Sequence, residues 1–185
     1  VTKYVYGIGL IGEVSESSFK TYHFDYRGST TAITDINGNI TDAFTYDTYG
    51  NLVSRTGTSE IIFLYNGRDG VVTDENGLIY MRARYYSPEL RRFINADIIA
   101  GEISNAITLN RYAYANGNPV SNIDPFGLSA ERGNDSQNDN QGFSNFTRDL
   151  ARLLIGNSLN NWVTKNGWFE DLFRLAGFVR TKDLL

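Results

Sequence analysis

The 185-residue chain contains no cysteine. Disulfides, a thiolate nucleophile and a structural zinc site built on thiolates are therefore excluded. His23 is the single histidine, so no cluster of imidazoles can gather round a metal. A Ser-His-Asp triad would have to use His23, which sits in a repeat-like strand with no activating motif nearby and reads as a structural residue. No metal and no cofactor are expected. Lysine and arginine form no stripe that could track a phosphate backbone, and the formal net charge is −4. Nucleic-acid binding by residues 1–128 is not expected. No apolar run approaches the ~20 residues needed to span a bilayer. Val1 is not followed by a charged n-region and an apolar h-region, so the chain reads as the C-terminal piece of something longer, with any secretion signal outside it.

What the chain has in abundance is glycine and tyrosine, 18 and 12 residues. Tyr22-His23-Phe24-Asp25-Tyr26-Arg27-Gly28 is echoed by Phe44-Thr45-Tyr46-Asp47-Thr48-Tyr49-Gly50, and more weakly by Phe63-Leu64-Tyr65-Asn66-Gly67, where Asn replaces Asp. A period in the low twenties implies stacked supersecondary units, none able to bury its face alone. Aromatic and β-branched residues alternating with polar ones make the unit β. Asn37-Gly38 and Asn76-Gly77 lie between alternating runs and predict two hairpins with type I′ turns. The expected architecture is mainly β, a spiralling antiparallel sheet whose aromatic residues build the wall.

Two features stand apart from the wall. In Leu78–Tyr86, period two predicts one face carrying Tyr80, Arg82, Arg84 and Tyr86, and another carrying Ile79, Met81, Ala83 and Tyr85. Arginine is seldom buried without a partner, so this face either looks outward into solvent or meets carboxylates inside. Asp97, among apolar neighbours, and Asp124, after Ile123, are available. Asp124-Pro125-Phe126-Gly127-Leu128 by itself suits a type I turn.

Asn118-Pro119 and Asp124-Pro125-Phe126-Gly127-Leu128, following Arg82-Ala83-Arg84-Tyr85-Tyr86-Ser87-Pro88 and Arg92-Phe93, resemble the RHS repeat-associated core (YD-repeat) family. That family includes the C components of insecticidal toxin complexes and bacterial polymorphic toxins. The resemblance runs through most of Tyr22 to Leu128. It implies a self-cleaving β-shell cut after the leucine of Asp-Pro-x-Gly-Leu, here Leu128–Ser129, and a variable toxic cargo beyond. It also implies that Asp97 and Asp124 form the catalytic pair, with Arg84 orienting them or steadying an oxyanion. Gly127 would let the backbone pass tightly, and Leu128 would fill the pocket that sets the cut. Implied partners are the preceding RHS repeats or a B-component-like shell, the encapsulated C-terminal segment, and an immunity protein. The implied location is outside, or on the surface of, a bacterium. The sequence departs from the family where Ala96-Asp97-Ile98 replaces Pro-Asp-Pro and where the following loop is longer and lacks Gly-Gly.

From Ser129 to Gly142 there is no large apolar residue, so a disordered linker is expected. Residues 143–185 show helical periodicity, with Phe146, Leu150, Leu153 and Leu154 on one face and Trp162, Trp168 and Phe169 later. A small helical segment is expected there. From Ser129 onward acidic and basic residues balance, seven of each, unlike the basic polar face of most membrane-active helices. Domain boundaries are thus expected at 1–128, 129–142 and 143–185. Two functions remain open at this point, a shell terminus that cleaves itself and a non-catalytic surface or adhesive module in which Asp124-Pro125 is only a turn.

Overall fold

A computed structural model of the chain describes residues 2–15, 18–101, 103–128 and 130–132. Ser129 and the helical segment expected over 143–185 lie outside the described residues. Within them the structure is antiparallel β with short 3-10 turns and no α-helix. Strands β1 (Lys3–Tyr6), β2 (Leu10–Ser15), β3 (Ser18–Phe24), β4 (Thr30–Thr34), β5 (Ile40–Tyr46) and β6 (Leu52–Thr56) form one sheet in chain order. A smaller sheet follows, built from β7 (Val72–Thr73), β8 (Ile79–Met81), β9 (Arg84–Ser87) and β10 (Arg92–Phe93). Finally β11 (Asn122–Ile123) pairs with β12 (Glu131–Arg132), so two residues that composition assigns to the linker double back on the chain.

Period-two alternation puts Leu10, Tyr22, Ile33 and Phe44 of β2–β5 on one face of the large sheet, where Ile61, Phe63 and Leu64 cover them. A second cluster gathers Tyr65, Val71, Ile79, Met81, Tyr86, Phe93, Tyr114 and Ala115. Tyr46 packs against both clusters and joins the sheets. Each such side chain contributes roughly 1.5–3 kcal/mol of apolar burial. This is the aromatic wall that the repeats predict.

The repeat aspartates make the turns. Asp25, Asp35, Asp47 and Asp74 each accept a backbone hydrogen bond from the glycine three residues on, at 3.0–3.1 Å. Oδ1 of Asp25, Asp35 and Asp47 also caps the amides two and four residues later. Only the glycine is left-handed, with φ of +83° at Gly38 and +81° at Gly77. Both hairpins therefore form as expected, but their turns are not type I′, which needs positive φ at both central residues. At Asn37-Gly38 the Asp35 carboxylate supplies the acceptor, and at Asn76-Gly77 the asparagine's own Oδ1 accepts the Leu78 amide at 3.0 Å.

Two further expectations fail. The third repeat copy is not a strand: Asn66, itself left-handed at φ +52°, opens a 3-10 turn over Gly67–Asp69. Its amide donates to the Arg27 carbonyl at 2.9 Å and accepts from the Tyr114 hydroxyl at 2.9 Å, the first of which a carboxylate could not do. The run Leu78–Tyr86 is also not one strand. It reverses at Arg82-Ala83, pairing Met81 with Arg84 and Ile79 with Tyr86. The reversal breaks the period, so Arg84 shares the buried face with Ile79, Met81 and Tyr86, while Tyr80 and Tyr85 are exposed. Arg82 takes φ +54° without being glycine. Its guanidinium donates to the carbonyls of Asp69 and Pro125 and lies 4.5 Å over the Phe126 ring, contacts that offset the backbone cost.

Candidate functional site

The tight β8–β9 hairpin delivers Arg84 to the interior, and every nitrogen of its guanidinium is engaged. Nε donates to the Gly127 carbonyl at 2.5 Å and Nη1 to the Arg111 carbonyl at 3.0 Å. Nη2 faces two carboxylates, Asp97 Oδ2 at 2.8 Å and Asp124 Oδ2 at 3.3 Å. The plane stacks on Phe93, with Cζ 3.6 Å from the ring centroid. Burial pulls the Arg84 pKa below its ordinary value, against the opposing charges of Asp124 and Asp97. A planar fork suits this site because it reaches several acceptors at once, where an ammonium would act as a point charge. The arginine thus looks inward.

Asp97 comes from the irregular segment after β10. Its amide donates to the Arg111 carbonyl at 2.8 Å, and its Oδ1 accepts from the Ile99 amide at 2.8 Å. Its side chain keeps a small solvent-facing edge, whereas that of Asp124 is almost wholly enclosed. The carboxylates lie 27 residues apart in sequence, yet one nitrogen holds an oxygen of each.

Asp124 opens a turn of the same design as the repeat turns. The Gly127 amide bonds the Asp124 carbonyl at 3.2 Å, and the amide four residues on, Leu128 N–H, donates to Asp124 Oδ1 at 3.0 Å. Gly127 is left-handed at φ +66°. The second oxygen marks the difference. In the Asp35 and Asp47 turns Oδ2 accepts from the amide side chain of Asn39 or Asn51; in the Asp124 turn the Arg84 guanidinium takes that place. The expected turn and the expected site are therefore one object.

A Cβ on Gly127 would meet the Met81 carbonyl oxygen at 2.6 Å and the Arg84 amide at 3.2 Å, so the chain runs close under the hairpin. Leu128 is buried. Pro125 is buried, and its carbonyl accepts from Arg82 Nη1 at 2.7 Å. Asn118 and Pro119 shape the approach to β11. The Asn118 carbonyl accepts from the Asn122 amide at 3.0 Å, and the Pro119 carbonyl is 3.5 Å from Arg27 Nη1. Phe93 and Arg111 were not among the expected site residues. A ring beneath a guanidinium and a backbone carbonyl bearing two donors leave no spacing signal. Among the described residues no group of three or more His, Cys, Asp or Glu side chains could hold a metal ion. His23 lies exposed on β3, bonded to the Thr34 hydroxyl at 2.9 Å.

No protein-family model matches the chain. The tRNA3(Ser)-specific nuclease WapA of Bacillus spizizenii is 35% identical over 133 residues, covering 69% of this chain and 6% of that protein. The crystal structure of TcdB2-TccC3 without its hypervariable C-terminal region superposes with a TM-score of 0.53 at 26% identity, over 62% of this chain and 5% of that one. The chain belongs to the RHS repeat-associated (YD-repeat) family. The same sequence pattern extends to salivary gland surface protein 1 of Aedes aegypti, 32% identical over 134 residues, 70% of this chain and 4% of that protein. This RHS segment spans less than a tenth of the length of these relatives.

Proposed function

We propose that this RHS chain is the terminal part of a toxin shell that cuts its own backbone after Leu128 and frees the segment beginning at Ser129. The observation that carries the reading is the shared nitrogen of Arg84, which gathers Asp97 and Asp124 beside the last residues before the cut. One guanidinium faces two carboxylates, so a single proton shared by the pair makes the buried trio neutral. The unprotonated carboxylate takes a proton from water as its oxygen attacks the Leu128 carbonyl carbon, and the protonated one donates toward the departing Ser129 nitrogen. The carbon–nitrogen bond breaks, leaving a carboxyl group on Leu128 and an amine on Ser129. Asp97, with its solvent-facing edge, is the carboxylate placed to meet water. Asp124 grips the Leu128 amide and Arg84 grips the Gly127 carbonyl, so the chain on the near side of the bond is held. Because substrate and catalyst are one chain, modest acid–base power suffices for a single turnover.

Of the two roles expected of Arg84, orienting the carboxyl pair or steadying an oxyanion, we take the first. Its Nε lies on the carbonyl of Gly127, one residue before the leucine, so we assign it to positioning the carboxyl pair and the substrate backbone. The partners that follow are the preceding repeats or a B-component-like shell, the enclosed C-terminal segment and an immunity protein against it, for a protein exported from or displayed on a bacterium.

A second reading is favoured by the likeness of the Asp124 turn to the structural turns at Asp35 and Asp47. In it the segment is a non-catalytic surface module, and Arg84 merely neutralises buried carboxylates. Intact mass and N-terminal sequencing of the expressed chain separate the two. A fragment starting at Ser129 supports self-cleavage, and scission between Asp124 and Pro125 is ordinary acid lability. A chain that stays whole, both alone and with its preceding repeats, favours the structural module.

A further inference from the structure

Segment 92–97 runs antiparallel to 111–113. Arg92 bridges Ala113, the Phe93 amide donates to the Tyr112 carbonyl at 3.0 Å, and the Asp97 amide donates to the Arg111 carbonyl at 2.8 Å. Regular antiparallel partners exchange two backbone bonds. At the Asp97 end the second rung is a side chain: the Arg111 guanidinium reaches back to the Asp97 carbonyl through Nε at 2.7 Å and also through Nη2. The Arg111 carbonyl meanwhile accepts Arg84 Nη1. One residue therefore ties the backbone of Asp97 to the arginine that its carboxylate must meet. Asp97 stands in irregular chain, outside any strand, so this clasp does what a sheet would do elsewhere.

We propose that Arg111 is a positioning residue for the cut, holding Asp97 in register with Arg84 and Asp124. The inference rests on the self-cleavage reading. An exposed guanidinium on a carbonyl adds little to global stability, but displacing a reacting group by about 1 Å costs up to about hundredfold in rate. Loss of Arg111 should therefore appear in cleavage and scarcely in melting.

The test follows the intact mass of the full chain over time in cell-free synthesis, for the unaltered chain and for Arg111→Ala, Arg111→Lys and Asp124→Asn. We expect Arg111→Ala to slow cleavage between about tenfold and about hundredfold and to melt within a few degrees of the unaltered chain. Arg111→Lys, which keeps one donor toward the Asp97 carbonyl, should recover part of the rate. Cleavage of Arg111→Ala at the unaltered rate, with Asp124→Asn uncut, overturns the role of Arg111 and leaves the site standing. Slow cleavage without recovery in the lysine variant, accompanied by a large fall in melting temperature, also overturns it. If the unaltered chain is never cut, self-cleavage itself fails. Amide exchange at Asp97 then decides the remainder: faster exchange in Arg111→Ala supports the clasp, and unchanged exchange refutes it.

Discussion

Gly127 is where one added methyl group probes both the turn and the site. In Gly127→Ala the residue must hold φ at +66°, which costs an L-residue about 1–2 kcal/mol. Its Cβ would lie 2.6 Å from the Met81 carbonyl oxygen, where ordinary carbon–oxygen contacts begin near ~3.3 Å. The turn and the β8–β9 hairpin must then part by roughly 0.7 Å, the difference between these distances. Such overpacking adds about 1–3 kcal/mol. The total is about 2–5 kcal/mol, less than most domains can lose. The contacts pulled apart are those from Arg84 Nε to the Gly127 carbonyl and from the Leu128 amide to Asp124, so cleavage should fall by about hundredfold. Gly77 supplies the control: it has the same left-handed backbone, φ +81°, with nothing within 4 Å of an added Cβ. Gly77→Ala should cost only the conformational ~1–2 kcal/mol and leave cleavage unchanged. Asparagine tolerates the left-handed region but still carries a Cβ, so Gly77→Asn should be nearly neutral and Gly127→Asn almost as damaging as alanine. Urea unfolding and intact mass measure the two effects. Equal stability losses at the two positions, with Gly127→Ala cut at the unaltered rate, would refute the close-approach argument.

Three other outcomes follow from the same contacts. Asp124→Asn should abolish the fragment starting at Ser129 while preserving the β circular-dichroism signal; loss of that signal would make the residue structural. Arg84→Met leaves two carboxylates facing each other without their cation and should destabilise the fold by about 3–5 kcal/mol in denaturant titration, and Arg84→Lys should not restore cleavage because an ammonium cannot span the same acceptors. Burial raises the phenol pKa values of Tyr22, Tyr46, Tyr86 and Tyr114, so their neutral forms belong to the folded state. Their stabilisation is whole below the unfolded value near ~10 and is lost as pH rises above it, so the phenolate absorbance of these four should appear together with unfolding; their smooth titration in a folded protein would contradict it.

Much of the wall was legible because its determinants are local. A side-chain period of two and the recurring Asp-x-x-Gly state which residues face inward and where the chain reverses. The turn type was misjudged because an Asn-Gly pair says nothing of the side-chain acceptor that closes the loop, the Asp35 carboxylate in one hairpin and Asn76 Oδ1 in the other. The reversal at Arg82-Ala83 was hidden because no glycine, asparagine or proline marks it. Arg82 accepts a left-handed backbone only because Asp69, Pro125 and Phe126, distant in sequence, hold its side chain.

The chain by itself determined the β character, the repeat, the turn at Asp124 and the residue types that matter, since each depends on neighbours a few positions away. Tertiary structure alone decided that Arg84 lies inside, that Asp97 and Asp124 share one of its nitrogens, and that Arg111 braces the first of them. Those facts depend on segments brought together from 13 (97 − 84) to 43 residues apart. No spacing along a chain encodes which of two faces a guanidinium will occupy once an unmarked hairpin has turned the strand over.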